Sequence, residues 1–352
     1  MFADIAYPQK LLPEELDKYL AGGWFRMRQS IFTTNFLHFS QRFYSAIWLR
    51  VVLDHSIHDK KYHTLHKLNK NFTTGIKKAR APEIAAAHET LYQIYRESIS
   101  FDVSPTLQEL LIGNQTYNRF NTYVVNVYDD DKLIAAGFFD LGKESAAGIT
   151  CIYHPAYKKY SLGKYLMYLK MDFCKQRRLK YFYPGYFVPG YKPFDYKIEI
   201  GKASLQYLQL STQQWVPYPA KAHAQNPLDK MLVQLASLQP YLEKALIPHA
   251  ILFYKFFEVN LDPYYNGNGL FDFPVFIYCI PEDNTSFYRM IVYDIRDSKY
   301  HLLQCGSVIN TGFQQEVNTL FDSDLLNIEQ DLFESASPEE ISDELNAFYK
   351  RS

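Results

Sequence analysis

The stretch "ITCIYHPAYKKYSLGKYLMYLKMDFCKQRRLKYFYPGY", residues 149–186, decides the fold of this chain. Its first part predicts a strand, and a turn with Ser161, Leu162 and Gly163 follows. The next apolar residues recur with helical period and predict an amphipathic helix, after which "YFYPGY" predicts a second strand. Strand, turn, helix and strand in this order outline a site for an acyl donor, although most of the glycines expected in such a turn are missing.

The segments before this stretch predict two helices and three strands. "PEIAAAHETLYQIYRESI" is a strong helix pattern with Pro82 near its start, and "SPTLQELLIG" is a second, with Ser104 as N-cap. "TYVVNVYDDDKLIAAGFFDLG" predicts a hairpin that turns at the three consecutive aspartates, and "AAGITCIYHP" predicts a third strand. This order is that of a GNAT-fold acyltransferase, a mixed α/β fold.

Composition shifts divide the chain into four parts. Residues 1–80 form a basic and aromatic N-terminal subdomain, and residues 81–208 form the GNAT-like domain. Residues 209–226, rich in Pro and polar side chains, are expected to be a linker. Residues 227–352 predict a C-terminal α+β appendage that ends in two acidic helices, "DLLNIEQDLFE" and "SPEEISDELNAFYK".

The charge distribution predicts one basic face on a nearly neutral protein. The formal net charge is -1, yet residues 58–80 hold seven lysines and arginines against Asp59 alone. The chain also contains 30 Tyr and 26 Phe, which suit stacking surfaces as well as an AT-rich genome. A basic face with aromatic side chains is how a phosphate-backbone partner would be held.

The four cysteines are too widely spaced for a zinc ribbon or a redox pair. The N-terminus lacks a targeting pattern, and no apolar run is long enough to cross a membrane, so we expect a cytoplasmic protein with no membrane partner. Two His-x-x-His pairs, at His55 and His58 and at His63 and His66, allow a zinc site or histidines that face phosphate or solvent.

The central turn departs from the acetyl-CoA pattern of the GNAT fold. In that pattern two glycines let backbone N–H groups approach the CoA pyrophosphate at a helix N-terminus. Here Ser161 stands at the first position and Gly163 at the second, so the pyrophosphate grip is weakened. Ser161 could cap the helix, and a helix that only packs is the other interpretation.

"SLGKYLMYLKMDFCKQRRLKYFYPGYFVPGYKPFDYK" resembles the C-terminal domain of the aminoacyl-tRNA–protein transferases, which include arginyl- and leucyltransferases. Upstream, "GGWFR" resembles the start of that family's N-terminal domain, and the match extends over roughly residues 15–208. The matching residues of the central domain are Ser161, Leu162, Gly163, Tyr183, Gly185, Tyr186, Tyr196 and Lys197.

Two departures from the family pattern matter. No cysteine precedes Cys151, so the metal or iron–sulfur cluster that the family's N-terminal domain usually binds should be absent, and we expect no cofactor. Pro193 and Phe194 replace the Lys-Met pair before the last motif, and Tyr191 stands where some members have cysteine. The amino acid transferred is therefore open, with arginine favoured and leucine the alternative.

The resemblance implies that a protein N-terminal amine attacks the aminoacyl ester at the 3′ end of a tRNA, as in N-degron pathways. Such a transfer needs a base or water, and donors for the oxyanion, for which the N–H groups at the start of helix 162–176 are candidates. Tyr186 or Tyr196 would orient the substrates, and Lys197 would contact a tRNA phosphate or the acyl carbonyl. The implied catalytic residues are Ser161, Leu162, Gly163, Tyr186, Tyr196 and Lys197. The implied substrate-binding residues are Tyr183, Gly185, Trp24, Arg26, Lys60, Lys61, Lys67 and Lys70, and we expect a monomer.

Two other functions fit the same sequence. One is a GNAT acyltransferase that uses an acyl-CoA and a small amine. The other is a non-catalytic module that kept the fold to bind RNA or protein. The altered turn and the basic segment favour tRNA over CoA, but they do not separate catalysis from binding.

Overall fold

The computed structural model describes residues 1–54, 57–79, 86–219, 226–280, 287–310, 321–322 and 324–351. His55 and Arg80, predicted members of the histidine pairs and the basic segment, lie outside the described residues, as do Pro82 and residues 220–225. The elements before residue 80 are β1 (Ala3–Ala6), α1 (Pro13–Ala21), β2 (Phe25–Met27), β3 (Ser30–Thr34), β4 (Phe36–Phe39), β5 (Arg42–Ser45), β6 (Ile47–Val52), α2 (Lys60–Leu68) and β7 (Thr73–Lys78).

The central part of the chain contains the predicted order of helices and strands. Its elements are α3 (Ala86–Glu97), α4 (Leu107–Leu111), β8 (Thr122–Asp129), β9 (Lys132–Leu141), β10 (Ser145–Tyr153), α5 (Leu162–Gln176), β11 (Tyr181–Phe187), β12 (Leu205–Gln209) and β13 (Gln214–Pro217). The N-cap of α4 is Thr106, whose hydroxyl accepts the N–H of Glu109 at 3.0 Å, so the predicted cap at Ser104 is two residues early.

The last part of the chain is an α+β unit. Its elements are α6 (Pro227–Lys244), β14 (His249–Phe253), β15 (Val275–Cys279), β16 (Tyr288–Asp294), β17 (Lys299–Asn310), β18 (Asp324–Ser335) and α7 (Pro338–Arg351). Among the described residues β14 to β18 pair in chain order, and α6 and α7 pack on them through an apolar core. The helix predicted for "DLLNIEQDLFE" is wrong, because this segment is β18 and pairs with β17 along its length.

In the described part of the chain, the central sheet has eight strands in the order β13-β12-β6-β11-β10-β9-β8-β7. Helix α5 covers one face, where Val125, Phe139 and Leu166 meet. Helices α3 and α4 cover the other face, where Leu91 packs on Phe138. This arrangement confirms the predicted GNAT fold.

Strands from both sides of the GNAT core extend its sheet. β6 pairs with β11 and β12, and β7 pairs with β8, so two strands of residues 1–80 are part of the sheet. β13, inside the predicted linker, pairs with β12. Strand pairing thus crosses the predicted limits at 80 and 208. The domain limits at 80, 208 and 226 stay predictions.

The N-terminal strands also join the C-terminal unit. The ring of Phe2 contacts that of Phe273 at 5.2 Å, and Phe36 meets Phe257 at 6.4 Å. These contacts bury Phe2 and Phe36 in the core of the C-terminal unit. No helix of the described residues is long and apolar enough to cross a membrane.

Candidate active site at the opening between two strands

The candidate site lies where β10 and β11 separate. The two strands run parallel and pair from Ser145 with Tyr181 to Ala147 with Tyr183. Beyond this point each strand is irregular, between Gly148 and Thr150 in β10 and between Phe182 and Gly185 in β11. The gap that follows is called the opening below.

The predicted turn forms the entrance to α5. A 3₁₀ segment at Pro155–Tyr160 precedes Ser161, which has a left-handed backbone with φ 52° and ψ 42°. Glycine favours this conformation, which explains why the acetyl-CoA pattern of the GNAT fold has glycine at this position. The Ser161 side chain makes no capping hydrogen bond, so the expectation that it caps the helix is wrong. The N–H groups of the first turn of α5 therefore have no side-chain cap.

Gly163 leaves space above this first turn. A Cβ at this position would meet the Tyr153 ring at 3.5 Å, an ordinary van der Waals contact. The packing of the protein itself therefore does not require glycine here. A glycine at a helix N-terminus does allow a ligand to come close to the backbone N–H groups of the protein.

Lys197 reaches into the opening from a 3₁₀ segment at Lys192–Ile198. Its Nζ donates a hydrogen bond to the Tyr186 carbonyl at 2.8 Å and lies 4.5 Å from the centre of the Phe194 ring. A Cβ at Gly185, where φ is +84°, would come within 3.3 Å of Nζ. Burial lowers the pKa of Lys197 to about 7, and the nearby Cys151 thiol partly opposes this shift.

Two predicted tyrosines stand beside Lys197. The Tyr186 ring stacks on Phe194 at 5.7 Å and meets Trp48 edge-on at 5.2 Å. Burial, and then the Glu258 carboxylate, raise the pKa of Tyr186 to about 12. Burial also raises the pKa of Tyr196, whose hydroxyl interacts with Cys151.

The opening and the turn are linked through a pair of tyrosines. Tyr95 of α3 interacts electrostatically with Tyr196, and its ring contacts Tyr153 at 5.3 Å. Tyr153 in turn borders Gly163. The structure thus brings the predicted turn and the predicted Gly185, Tyr186, Tyr196 and Lys197 to one region, although more than twenty residues separate the two groups in sequence.

Two residues of this region were not predicted from the sequence. Lys170 of α5 is fully buried, and its Nζ donates to the Phe138 and Thr150 carbonyls, each at 2.9 Å, and to Cys151 Sγ at 3.2 Å. Burial lowers the pKa of Lys170. The sequence signal for Lys170 was a lysine on the apolar face of α5. The hydrogen bonds of Lys170 to Thr150 and Cys151 hold the irregular part of β10 in place.

Glu258 is the second missed residue, and it comes from the C-terminal unit. Burial raises the pKa of Glu258. No hydrogen bond or ion pair joins its carboxylate to another described residue, yet it acts on the Tyr186 hydroxyl. No sequence signal could have found it, because the C-terminal unit lies outside the family pattern.

Basic residues surround the turn. The Asn69 side-chain amide donates to the Tyr160 carbonyl at 3.1 Å, and Phe72 meets the Tyr160 ring at 4.9 Å. These contacts dock the end of α2 against the 3₁₀ segment before Ser161. The exposed or half-exposed lysines that result, called the basic surface below, are Lys60, Lys61, Lys67, Lys70, Lys158, Lys159 and Lys164.

Glu199 neutralises part of the basic surface. Its carboxylate accepts hydrogen bonds from Lys164, at 2.8 Å, and from Lys61. These bonds lower the pKa of Glu199 to about 2, so it is a carboxylate at neutral pH.

The predicted histidine cluster faces a carboxylate of the protein. His58 Nε2 and His66 Nε2 lie 3.1 Å and 3.4 Å from the two oxygens of Asp172 on α5. Burial opposes ionisation of Asp172, but the neighbouring His66, His58 and Tyr62 side chains lower its pKa. His66 of α2 and His58, which precedes this helix, therefore both lie against α5, while His63 is exposed.

Arg26 borders the cleft described below, but its guanidinium is paired inside the protein. Its side chain is 1% exposed and pairs with Asp140 at 2.9 Å, while the guanidinium also bonds Thr122 at 2.9 Å. A phosphate cannot reach it, so the expectation that Arg26 binds tRNA is wrong. Trp24 and the buried Tyr183 lie in a separate apolar cluster with α1.

A cleft of about 750 Å³ lies beside the opening and is bordered by Phe25, Ile149 and Leu261. Arg28 lines it and pairs with Glu109 at 2.7 Å. Arg119 lines it as well, with bonds to the Gln29 carbonyl at 2.8 Å and the Tyr117 hydroxyl at 2.6 Å. Arg119 has no carboxylate partner among the described residues, and its buried Nε has no acceptor.

Comparison with known proteins gives consistent results for the central domain. Residues 87–207 match the family model described as arginine-tRNA-protein transferase, C terminus. An aspartate/glutamate leucyltransferase of Leptospira interrogans is 24% identical over 216 residues, which is 60% of this chain and 81% of that protein.

A second relative matches a shorter region. An aspartate/glutamate leucyltransferase of Campylobacter jejuni is 28% identical over 138 residues, 38% of this chain and 57% of that protein. Among solved structures, the ribosomal-protein-S18-alanine N-acetyltransferase of Escherichia coli has a TM-score of 0.23 at 17% identity, covering 30% of this chain and 61% of that one.

Proposed function

We propose that this chain transfers an amino acid from the 3′ end of a charged tRNA to the N-terminal amine of an acceptor protein, as the match of residues 87–207 to the arginine-tRNA-protein transferase family model supports. One observation carries the proposal. The basic surface borders the turn that leads into α5, and the opening with Lys197, Tyr186 and Tyr196 lies next to it. A cationic surface that can bind a phosphate backbone thus adjoins the opening, where the acyl transfer would take place.

The tRNA would lie on the basic surface with its 3′ end at α5. Exposed lysines neutralise backbone phosphates, and aromatic rings at the opening offer stacking surfaces for unpaired bases. The uncapped N–H groups at Leu162 and Gly163 would donate to the oxyanion that forms on the ester carbonyl. Tyr186 and Tyr196 would orient the donor and the acceptor.

The acceptor would enter through the cleft beside the opening. The relatives are named for aspartate and glutamate, and an acidic side chain is the natural partner of Arg119, for which the described part of the chain offers no carboxylate. Guanidinium groups bind carboxylates through two parallel hydrogen bonds, which gives geometric selectivity. We therefore propose acceptors with N-terminal Asp or Glu.

Two aminoacyl groups are compatible with the side chains around the opening. The matching family model is named for arginine, and the Glu258 carboxylate could pair with an arginyl guanidinium. The relatives are named for leucine, and the rings of Phe25, Trp48 and Phe194 could hold a leucyl side chain. Both belong in the test.

The test uses purified protein, peptides that begin with Asp, Glu or Ala, and tRNA charged with radiolabelled Arg or Leu. Acetyl-CoA serves as a parallel donor. The proposal predicts label on the Asp and Glu peptides from one of the charged tRNAs. Label that moves from acetyl-CoA alone would contradict it, and no transfer from any donor would favour a binding module.

A separate measurement tests the tRNA surface. The double variant Lys67→Ala/Lys70→Ala should weaken tRNA binding and reduce the dependence of log Kd on log salt by about 0.7–0.9 for each phosphate that the protein no longer neutralises. Lys244→Ala, an exposed lysine of α6, is the matched control and should bind like the wild type. Equal salt slopes for all three proteins would exclude this surface.

A further inference from the structure

Lys197 differs from the other lysines near the opening in what surrounds its amine. Lys170 is saturated by two carbonyls and a thiol, and Lys164 pairs with the Glu199 carboxylate. Lys197 has the Tyr186 carbonyl as its hydrogen-bond acceptor and no carboxylate within ion-pair distance among the described residues. No second hydrogen-bond acceptor among the described residues takes its remaining N–H groups.

Among the described residues, the side chains that face the Lys197 amine are uncharged or weakly acidic. Cys151 of β10 interacts with its amine. β11 presents the Tyr186 ring at 5.4 Å, the segment of Lys197 itself carries Phe194 and Tyr196, and β2 presents Phe25. The carboxylate of the C-terminal unit, Glu258, acts on Tyr186.

These surroundings disfavour the charged form of the amine. Burial lowers the pKa of Lys197 to about 7, so the neutral amine predominates above that pH. A desolvated lysine with a free lone pair is a competent general base near neutral pH.

We propose that Lys197 is the general base of the aminoacyl transfer, a role that rests on the proposed function. The neutral α-amine of the acceptor attacks the ester carbonyl, and a C–N bond forms while the carbonyl oxygen becomes an oxyanion. Neutral Lys197 takes a proton from the new ammonium nitrogen. As the oxyanion collapses and the ester C–O bond breaks, the Lys197 ammonium returns this proton to the ribose oxygen that leaves. Lys197 thus ends each turnover in its starting state.

The position of the amine follows from the neighbouring glycine. Gly185 has φ +84°, a left-handed conformation that side chains rarely adopt, and a Cβ there would lie 3.3 Å from Nζ. The next residue, Tyr186, accepts a hydrogen bond from the Lys197 amine on its carbonyl at 2.8 Å. The motif residues Gly185, Tyr186 and Lys197 therefore form one arrangement that holds a single amine.

The test compares wild type with Lys197→Arg and Lys197→Met across pH 5.5–9, with charged tRNA and an acceptor peptide. Arginine keeps the cation but cannot act as a base, and methionine keeps the volume without charge. Both variants should lower kcat about 100-fold or more. The ratio of wild-type to variant kcat should rise with pH through about 7 and then level off, since titration of the acceptor amine affects all proteins equally. Lys180→Arg, an exposed lysine paired with Glu144, is the matched control.

Three results decide the matter. If Lys197→Arg retains wild-type kcat, the residue acts as a cation and the proposal is overturned. If both variants are slow but the ratio does not change with pH, Lys197 only positions the substrates, which also overturns it. A wild type that transfers nothing from charged tRNA would instead remove the proposed function.

A second measurement uses only the wild-type protein, so it does not depend on whether the variants fold. The reactivity of Lys197 toward acetic anhydride, followed by peptide mass spectrometry across the same pH range, should show a midpoint near 7 in the folded wild-type protein. A midpoint near the ordinary value for lysine would exclude it as the base.

Discussion

Replacement of Gly163 by alanine should separate stability from function at the turn into α5. The added Cβ would lie 3.5 Å from the Tyr153 ring, so it fits the free protein without strain. Alanine in a helix is more stable than glycine by about 0.5–1 kcal/mol, because the unfolded chain loses less freedom on folding. The midpoint of thermal unfolding should therefore rise by about 1 °C.

The same methyl group would stand where the donor must approach the N–H groups of α5. A displacement of the reacting ester by ~1 Å can cost about 100-fold in rate, so we expect kcat/KM with charged tRNA to fall by about 10- to 100-fold. Calorimetry and initial-rate measurements on one preparation check both effects. Gly75→Ala is the matched control, because a Cβ there meets nothing within 4 Å. A Gly163→Ala protein that is more stable and fully active would refute the placement of the donor.

Three further substitutions test the electrostatics of the site. Arg26→Met should lower the free energy of unfolding by about 3–5 kcal/mol, measured with urea, because Asp140 would be left buried without its partner. Glu199→Gln should tighten tRNA binding in filter assays and steepen its salt dependence, because it releases two lysines of the basic surface. Asp172→Asn should be less stable than wild type at pH 7. Because hydrogen bonds outweigh burial and lower the pKa of Asp172, its contribution is present above the unfolded value of about 3.9 and is lost as pH falls through the lower folded pKa. Melting curves at pH 3 to 7 should therefore converge in acid.

The GNAT core could be predicted because its signals are local. Helical periodicity identified α3 and α5, and the acidic turn identified the hairpin of β8 and β9, each within a short window of sequence. The order of these elements then sufficed for the fold. The opening between β10 and β11 follows from that topology, so the motif residues around it could also be named.

Pairing between distant segments could not be predicted. β6 and β7 join the central sheet through partners far away in the chain, which no local pattern reports. β18 has the acidic composition of an exposed helix, yet pairing with β17 makes it a strand, because tertiary contacts override a weak local preference. Its acidic side chains at Glu329 and Asp331 are exposed.

Burial explains the errors in the candidate site. Arg26 was expected to bind substrate as one of the cations implied by the resemblance, but its partner Asp140 lies more than a hundred residues away and cannot be read from spacing. Lys170 and Glu258 were not predicted for the same reason, since the role of each depends on contacts between elements that are distant in sequence. The lowered pKa of Lys197 is likewise a property of the folded environment.

The most direct measurement is mass spectrometry of an acceptor peptide after incubation with the protein and an aminoacyl-tRNA. One peptide has a free N-terminal Asp or Glu, and its twin is acetylated at the same amine. We predict that the free peptide gains the mass of one amino acid residue at its N-terminus, that the blocked peptide stays unchanged, and that uncharged tRNA supports no gain. A gain on the blocked peptide, or an acetyl group from acetyl-CoA in place of the amino acid, would contradict the central claim.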